Sequence, residues 1–474
     1  MPQSFANFNP KPALGPLDGR YAPVVAPLVD YLSEPALNRM RLHVEVEWVI
    51  HLLAGSALPG TPQLSQAECD YLRGLVDQFG ADQVAELGEI ERTTVHDVKA
   101  IEYYLQRRFA EAPEALGEPT CLSGLEAVIH FGLTSEDVNS LSYGLMVKGA
   151  VSQVWLPAAT ALVDQLTELA KAQAGQPMLS RTHGQPATPT TLGKELAVMA
   201  RRLRRQLERI GGDQYLGKLD GATGTYGACQ VAVPGTDWPA VSQSFVEHLG
   251  LTWNPLTTQI ESHDWQAELY ADVARFGRVA HNLATDMWTY ISYGYFVQVR
   301  GQGTVGSSTM PHKVNPIRFE NAEANLEISA ALFDTLAATL TTSRLQRDLT
   351  DSTTQRNIGV AFGHSLLAID NLRRGLAGLA VDPAAMLADL EANPEVLAEP
   401  IQSVMRAAGL AGTPGMADPY ERLKELTRGQ RVSLEQIHQF VATLGLPDDA
   451  VARLEGLTPQ TYTGLAAELV RRYL

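Results

Sequence analysis

Cysteine is scarce in this sequence of 474 residues, since only Cys69, Cys121 and Cys229 occur, far apart and without a C-x-x-C pair. Their spacing argues against a disulfide framework and against a thiolate zinc site. Long apolar runs are missing too: no stretch of about 18 apolar residues occurs, and the N-terminus lacks a basic segment followed by an apolar one. We therefore expect a soluble, unexported protein of the reducing cytoplasm.

Basic residues are outnumbered, with 37 Lys and Arg against 53 Asp and Glu and a formal net charge of −16. Surfaces that bind nucleic acid or anionic membranes need stripes of positive charge, so this balance argues against both. Any anionic ligand must meet local positive charge instead. Hydrophobic residues make up 45% of the chain, which is ordinary for a globular protein, and the length predicts two or three domains.

The spacing of apolar residues predicts long amphipathic helices. One series with intervals of three or four residues consists of Leu192, Leu196, Met199, Leu203, Leu207 and Ile210. The same pattern predicts helices over 265–293, 319–341, 158–173, 34–54 and 96–111. Helices this long rarely bury their apolar stripes within one small globule, so the sequence predicts an all-α bundle with several stripes shared between subunits.

Segments rich in Gly, Pro, Ser and Thr separate these helices and are predicted to be loops. The predicted loops are 179–191, 219–235 and 301–316. The last follows the strand-like YFVQV and contains G-x-G-x-x-G, but Pro311 and Pro316 would interrupt the helix that a dinucleotide site needs directly after its glycines. Lys313 does not follow a glycine directly, so a P-loop is also excluded. We interpret the segment as a loop that closes over a ligand, and a surface linker is the alternative.

Two histidines stand in polar segments. His183 lies in SRTHGQPATPTT, and a lone histidine is more often structural than catalytic. His96 and Asp97 lie in ERTTVHDVKA, where the alternative is purely structural, because Thr94 can serve as a helix N-cap. No H-E-x-x-H or comparable spacing marks a metal site anywhere in the sequence.

Arginines cluster in SRLQRDLTDSTTQRN, residues 343–357. Arg344, Arg347 and Arg356 there accompany a Ser/Thr-rich helix start, and forked guanidinium donors with helix N–H groups suit a phosphate or carboxylate. An Arg–Asp ion-pair network is the rival interpretation, and this segment alone slightly favours it.

Taken together, the segments resemble the fumarase/aspartase superfamily. GSSTMPHKVNP at 306–316 is similar to its G-S-S-x-x-M-P-x-K-x-N-P stamp, and TSEDVNS at 134–140 and RTHGQPATPTTLGKE at 181–195 resemble its other shared regions. LDGRY, TTVHDVKA and RDLTDSTTQRN resemble the longer bacterial form of the branch that splits adenylosuccinate. The match runs from about residue 17 to beyond residue 360.

The resemblance implies an all-α fold of three domains: an N-terminal helical domain (1–122), a central long-helix bundle (123–364) and a C-terminal helical domain (365–474). It implies a homotetramer with a twenty-helix core and active sites shared between three subunits. It also implies anti β-elimination of fumarate from adenylosuccinate, giving AMP, and from succinylaminoimidazole carboxamide ribotide (SAICAR), giving AICAR, in purine synthesis. No metal or organic cofactor is expected.

Residue-by-residue matching implies the catalytic roles. Such an elimination requires a base, a cation and an acid, because it removes a proton from a carbon next to a carboxylate and expels a nitrogen. Ser307 matches the base and His183 the general acid. Lys313, helped by Asn315, would stabilise the developing aci-carboxylate, and His96 would assist the acid. A serine is a poor base, so loop closure is expected to activate it.

The same matching implies a set of substrate-binding residues. They are Arg20, Tyr21, Thr94, Val95, His96, Asp97, Thr134, Ser135, Gln259, Asn315, Asn321, Arg347, Ser352 and Arg356. Of these, Arg20, Tyr21, Ser352 and Arg356 are expected on the phosphate, and Thr134 and Ser135 on the succinyl carboxylate. Lyases for argininosuccinate, aspartate or malate are the nearest rivals, and an inactive helical oligomer is another.

Overall fold

The computed structural model describes residues 13–55, 57–299, 310, 313–427 and 432–474. The first ten helices are α1 (Ala22–Leu32), α2 (Glu34–Ala54), α3 (Gln66–Asp77), α4 (Ala81–Thr94), α5 (Asp97–Leu116), α6 (Ser135–Ala150), α7 (Leu156–Ala172), α8 (Leu192–Gly211), α9 (Gly227–Ala232) and α10 (Trp238–His248). They are followed by α11 (Asp264–Ser292), α12 (Ile317–Leu340), α13 (Thr350–Gln355), α14 (Ile358–Ala377), α15 (Pro383–Glu391), α16 (Ala398–Leu410), α17 (Pro419–Thr427), α18 (Leu434–Ala442), α19 (Asp448–Glu455) and α20 (Ala466–Tyr473).

Strands are few and short in the described chain. They are β1 (Pro177–Thr182), β2 (Gln185–Thr191), β3 (Leu216–Gly217), β4 (Thr252–Trp253), β5 (Phe296–Gln298) and β6 (Leu379–Val381). They pair only as two-stranded ribbons, β1 with β2 and β5 with β6 antiparallel, and β3 with β4 parallel. The predicted all-α class is confirmed.

The predicted long helices are confirmed as α2, α5, α7, α8, α11 and α12, with bounds within two residues of the prediction except at the end of α5, which runs five residues further, to Leu116. In α8 the predicted apolar stripe is buried, including Leu196 and Leu203, apart from the half-buried Met199, whereas Arg201 and Arg205 face solvent. Burying one face of such a helix removes apolar surface from water at about 25 cal/mol per Å². The amphipathic pattern therefore fixes which face of α8 points inward.

The described residues form two compact units that alternate along the chain. The first comprises Met1–Ala159, Gln206–Arg278 and Ala324–Asp370, and the second comprises Thr160–Arg205, Val279–Glu323 and Asn371–Leu474. Large buried side chains such as Trp48, Phe109, Trp238 and Phe245 build the core of the first unit. The three consecutive domains 1–122, 123–364 and 365–474 stay a prediction.

The helical stretch Ser135–Ala172 has the length and hydropathy of a membrane-spanning helix. Its buried residues include Val138, Leu141, Val147 and Leu162, and none of these four is measurably exposed. A helix that is apolar on several sides lies either in a membrane or in the core of a large protein. Of its most apolar window, 44% is buried within the chain, so packing in the core accounts for part of its composition.

The predicted loop at 179–191 is wrong, because the segment forms the β1–β2 hairpin. Thr182 pairs with Gln185 across a two-residue turn. The turn residues His183 and Gly184 both have positive φ, 55° and 75°, as a hairpin turn that matches strand twist requires. The predicted loop at 219–235 is also partly wrong, since it contains α9.

The strand-like YFVQV segment does contain strand β5, but not as part of a dinucleotide-binding unit. Phe296 pairs antiparallel with Val381, whereas such a unit needs two parallel strands joined by a helix. The G-x-G-x-x-G run itself, and with it Ser307, lies outside the described residues.

Candidate active site

The predicted site residues fall into two groups, one in each compact unit. The first unit holds Arg20, Tyr21, Thr94, Val95, His96, Asp97, Thr134, Ser135, Gln259, Arg347, Ser352 and Arg356. The second unit holds His183, Lys313, Asn315 and Asn321. The first group is thus composed mainly of candidate anion-binding residues, and the second contains the predicted acid and cation.

His183 stands at the tip of the β1–β2 hairpin. Its side chain is exposed, and no hydrogen bond to it is found among the residues that the structure describes. A ring on a tight turn, free of other partners, is well placed to exchange a proton with a ligand. The hairpin fixes the backbone of His183 and leaves its imidazole accessible.

Two positions before His183, an ion pair ties the hairpin to α15. Both oxygens of Asp389 accept hydrogen bonds from Arg181 Nη2, at 2.9 and 2.7 Å. Arg181 Nη1 lies 3.0 Å from Tyr295 Oη, and the Tyr295 hydroxyl donates to Asp389. Burial and Asp389 raise the pKa of Tyr295 to about 12, so its hydroxyl remains a donor. The Arg181 guanidinium also lies over the Tyr293 ring, 4.5 Å from its centre. This Arg181–Asp389–Tyr295 anchor holds β1.

Lys313 and Asn315 precede α12. The Lys313 N–H donates to Met310 O at 3.0 Å, while its side chain is exposed and makes no ion pair within the described part of the chain. Gln298 Nε2 donates to Val314 O at 2.7 Å, which attaches this segment to β5. Asn321 Oδ1 accepts from Asn371 Nδ2 at 2.9 Å, so Asn321 is already engaged. The lysine remains available to a ligand.

His96, not Thr94, caps α5, so the predicted N-cap role of Thr94 is wrong. Thr94 is the last residue of α4, and His96 adopts the extended backbone of an N-cap. His96 Nδ1 accepts from the Lys99 N–H at 3.1 Å. Because an accepting nitrogen carries no proton, the ring proton of neutral His96 is on Nε2. The Nε2–H group of His96 is therefore available as a donor and points away from α5.

Val95, beside His96, has a left-handed backbone. Its φ is 50° and its side chain is 88% exposed. A β-branched residue with positive φ is an outlier and costs roughly 1–3 kcal/mol. Strain of this kind is typical of ligand-binding segments, and here it sets the direction in which the chain enters α5.

Arg356 is held by two carboxylates. Its Nη2 lies 3.3 Å from Glu34 Oε1 and 3.1 Å from Asp97 Oδ2, and its Nη1 donates to Ser352 Oγ at 3.2 Å. Burial would raise the pKa of Asp97, but Arg41 and the Val98 amide outweigh it and lower that pKa. The predicted phosphate residues Ser352 and Arg356 are thus in contact.

Arg347 meets the start of α6. Its Nη2 lies 2.8 Å from Glu136 Oε1, directly after the predicted carboxylate-binding pair Thr134 and Ser135. The Thr134 N–H is taken by Asp137 Oδ2 at 2.8 Å. The other first-turn N–H groups of this 16-residue helix give its N-terminus a partial positive charge that favours anions. Arg347 therefore lies at a helix N-terminus whose first turn also carries the carboxylates of Glu136 and Asp137.

The predicted anion site at the Ser/Thr-rich helix start is wrong in one respect. Its first N–H groups are already bonded to carboxylates, from Thr350 to Asp348 Oδ1 at 2.8 Å and from Ser352 to Asp351 Oδ1 at 2.6 Å. Hydrogen bonds from Thr350 lower the pKa of Asp348 to about 2. The arginines of this segment and the Ser352 hydroxyl, which contacts Arg356, are left as candidate anion ligands.

The rival interpretation of this segment, an Arg–Asp ion-pair network, is confirmed in part, since Arg344 and Arg356 contact aspartates whereas Arg347 contacts Glu136. Arg344 lies 3.7 Å from Asp348, but Arg347 and Arg356 find their partners on α6, α2 and α5. These ion pairs bring distant parts of the sequence together. An ion-pair network and an anion site are compatible, because the same arginines can serve both.

A cavity of about 240 Å³ lies beside Arg356. It is lined by Gly15–Asp18, which lead into the LDGRY turn, by apolar side chains of α1 and by His364. Arg20 lies within this turn, with its guanidinium 5.9 Å from the centre of the Tyr21 ring, but neither Arg20 nor Tyr21 lines the cavity. Gln259 Nε2 donates to Ala222 O at 3.1 Å.

Sequence reasoning missed Glu136, Arg41, Asp389 and Tyr295. Glu136 stands within TSEDVNS, so the motif could have pointed to it. Arg41 is 1% exposed on its side chain, and Asp389 lies more than 200 residues after its partner Arg181; neither has a local signature. Their roles follow only from tertiary contacts. Among the described residues, no group of His, Cys, Asp or Glu is arranged to hold a metal ion.

Comparisons with known proteins show to which class of enzyme the chain and its fold belong. Residues 19–327 match the family model described as Lyase, and residues 343–463 match the one described as Adenylosuccinate lyase C-terminal. A fumarate lyase structure from Mesorhizobium sp. BNC1 matches with a TM-score of 0.73 and 17% identity, over 94% of this chain and 96% of that one. A 3-carboxy-cis,cis-muconate lactonizing enzyme from Pseudomonas putida matches with a TM-score of 0.67 and 21% identity, over 93% and 96%. At such identities the structures show the fold alone. Fold and family model together define a helical lyase of the fumarase/aspartase type.

Relatives with similar sequences identify the family within this class of lyases. The chain is 46% identical over 458 residues to an adenylosuccinate lyase of Escherichia coli (strain K12), covering 97% of this chain and 98% of the relative. It is 45% identical over 460 residues to that of Haemophilus influenzae, with the same coverage. The chain belongs to the adenylosuccinate lyase family. The resemblance inferred from the ordered motifs is confirmed.

Proposed function

We propose that this chain catalyses anti β-elimination of fumarate from adenylosuccinate, giving AMP, and from SAICAR, giving AICAR. The observation that carries this proposal is the 45–46% identity, over 97% of the chain, to relatives named adenylosuccinate lyase. The reaction class is a C–N lyase of purine synthesis. The substrates are small anionic molecules, which agrees with the basic groups on an otherwise acidic chain.

Each bond change has a candidate residue. Ser307 takes the proton from the carbon next to a succinyl carboxylate, and the electron pair left behind forms the double bond of fumarate. The C–N bond breaks, its electron pair stays on nitrogen, and His183 protonates that nitrogen. Lys313 and Asn315 stabilise the negative charge that builds on the carboxylate in between. His96, with a proton on Nε2, assists the acid.

The geometry supports a proposal in which one group of residues carries out the chemical step and another group binds the anionic parts of the substrate. His183 and Lys313 present accessible side chains on a tied hairpin and ahead of a long helix. Arg347, Arg356 and the start of α6 present positive charge for carboxylate and phosphate groups. Phosphate can bind Arg356 through Nη1, which contacts the Ser352 hydroxyl, or by replacing Glu34 on Nε and Nη2. We assign Arg20, Tyr21 and Ser352 to the same phosphate.

We also propose a homotetramer with active sites shared between three subunits, located in the cytoplasm. Exposed apolar residues on the long helices support association, among them Val198 on α8, Trp288 on α11 and Ile328 on α12, each more than 40% exposed. Burial of such side chains between subunits would remove apolar surface from water. The three cysteines are free thiols, as expected in a reducing compartment.

One experiment tests the function. Purified protein is mixed separately with adenylosuccinate, argininosuccinate, aspartate and malate, and fumarate is followed by its ultraviolet absorbance. We expect fumarate and AMP from adenylosuccinate and no fumarate from the other three. Release from argininosuccinate alone would overturn the assignment, and release from none would favour the inactive helical oligomer.

A further inference from the structure

A buried arginine stands behind the carboxylate that holds Arg356. Arg41, on α2, is 1% exposed. Its Nη2 donates to Asp97 Oδ2 at 2.8 Å, and the same oxygen accepts from Arg356 Nη2 at 3.1 Å. A single carboxylate oxygen therefore joins a buried guanidinium to one that faces solvent.

A buried amide stands behind the carboxylate that holds Arg347. Asn139 lies one turn after Glu136 on α6, and its Nδ2 donates to Glu136 Oε1 at 2.8 Å, the oxygen that also contacts Arg347. Asn139 Oδ1 accepts from Arg41 Nε at 2.8 Å. The side chains of Asp97, Arg41, Asn139 and Glu136 thus form a continuous series of contacts, the buried relay, from Arg356 to Arg347.

The centre of the buried relay has little access to water. Glu136 is 3% exposed and Asn139 is 7% exposed. Charges in such surroundings must be paired, and the Asn139 amide satisfies an arginine on one side and a carboxylate on the other. Removing it would leave Arg41 and Glu136 each with one partner fewer where desolvation is costly. The two ends therefore cannot rearrange independently.

We propose that Asn139 and Arg41 are positioning residues that couple Arg356 to Arg347, so that a phosphate held by Arg356 orients Arg347 toward the rest of the substrate. The inference rests on the proposed function for the roles of the two arginines. Asn139 and Arg41 act through these arginines, whose effect is on binding.

Asn139→Ala interrupts the buried relay at its centre. The KM for adenylosuccinate should rise on the order of tenfold, as for the loss of a well-placed charged hydrogen bond, while kcat stays within about threefold. Asn325→Ala is the matched control, because Asn325 is equally buried at 7% and bonds His364 at 2.7 Å. It should lower the melting temperature by a similar amount and leave KM unchanged.

A double-mutant cycle measures the coupling itself. Arg347→Lys and Arg356→Lys, alone and together, should change KM non-additively by on the order of threefold or more in the otherwise unchanged protein. In the presence of Asn139→Ala the same two changes should be additive. An unchanged KM in Asn139→Ala, or non-additivity that persists there, would overturn the proposal. Calorimetric affinities for AMP, measured through the same cycle, decide it even if no fumarate is released, and fumarate release by the unchanged protein tests the proposed function separately.

Discussion

At the scale of single residues, His130 is set between two carboxylates on neighbouring helices. Its Nδ1 lies 2.5 Å from Glu45 Oε1 and its Nε2 lies 4.0 Å from Glu102 Oε1. Burial lowers the pKa of His130, but the hydrogen bond and charge of Glu45, with Glu102, outweigh burial and raise it above the ordinary value of 6.5. Lys99 Nζ contacts the same Glu102 at 2.6 Å, and the Lys99 N–H is the one that His96 caps. His130 therefore supports the segment that orients His96.

Replacing this histidine should change stability in a pH-dependent way. A group with a raised folded-state pKa contributes stability that is fully present below its unfolded value, near 6.5, and is lost as pH rises through the folded value. His130→Asn should thus lose about 1.5–3 kcal/mol at pH 6 and less at pH 9. Melting temperatures of the two proteins at both pH values provide the measurement.

His438→Asn is the control, since the contact that His438 makes among the described residues is a long one to a backbone carbonyl, 3.4 Å from Leu457 O. The loss of stability in His130→Asn relative to this control should be larger at pH 6 than at pH 9. Equal losses for His130→Asn at pH 6 and pH 9 would show that its charge contributes no stability.

Some site residues can be predicted from the sequence, and others cannot. Ser307, His183 and Lys313 could be proposed from the sequence because each stands in a short motif whose residue types suit the chemistry. Arg41 lies in a helix without any motif, and its importance comes from a carboxylate 56 residues further on. A local pattern reveals residues that stand close together in the sequence. Residues that support the site from elsewhere in the sequence are brought there by tertiary packing, so no local pattern reveals them.

Among the secondary-structure elements, the β1–β2 hairpin shows most clearly why a sequence-based prediction can fail. Prolines at 186 and 189 count against a strand, because proline cannot donate to a ladder. In a two-stranded ribbon each strand is an edge, so the prolines are tolerated where no donor is needed. The signal that was available is the His183–Gly184 pair between Thr-rich flanks, which suits a two-residue turn.

The anchor of this hairpin gives a prediction about the acid. Asp389→Asn keeps the size of the side chain but removes its charge from Arg181, so the turn carrying His183 should become less well placed. We expect kcat to fall on the order of tenfold or more with KM changed little, because misplacing a catalytic group affects the chemical step. Steady-state kinetics with adenylosuccinate provide the measurement.

Asp164→Asn is the matched control, because Asp164 pairs with Arg204 at 2.9 Å on an exposed surface, where ion pairs contribute little. It should leave kcat unchanged. A normal kcat in Asp389→Asn, or a loss confined to KM, would mean that the Arg181–Asp389–Tyr295 anchor does not position His183.

Helices were easier to predict than strands for a physical reason. Apolar intervals of three and four over twenty or more residues repeat the signal many times, and α2, α8 and α11 follow their predicted bounds closely. Strands β3 to β6 have two or three residues each. A pattern that short contains no repeat, and only its partner strand elsewhere in the sequence stabilises it.

At the scale of the whole molecule, the proposed sharing of sites between subunits has a direct consequence. His183 belongs to one compact unit and Arg347 to the other. If different subunits supply them to one site, then inactive His183→Ala and Arg347→Ala proteins should regain activity when mixed. Exchange of subunits would create some sites with both residues intact.

Mixing is followed by fumarate release after gentle dissociation and reassociation of the two variants. The control is a double variant carrying both changes, mixed with either single variant, which cannot regain a complete site by taking one residue from each. Failure of the single variants to complement, with hybrid tetramers shown to form, would place His183 and Arg347 of each site on the same subunit.

The number and arrangement of subunits are the features that the sequence predicts least well. Apolar stripes indicate that long helices associate, but number and symmetry of subunits depend on surfaces that no single stripe specifies. Family membership supplies the expected tetramer, and the exposed Trp288 and Ile328 agree with it. Sedimentation of the purified chain would establish the number of subunits.

The proposed removal of the proton from carbon by Ser307 is tested by alanine variants of the two adjacent serines. Ser307→Ala should lower kcat for adenylosuccinate on the order of 10²- to 10⁴-fold while equilibrium binding of the substrate persists. Ser308→Ala, one position away, should keep kcat near that of the unchanged protein. A near-normal kcat in Ser307→Ala, or a larger loss in Ser308→Ala, would show that Ser307 is not the base.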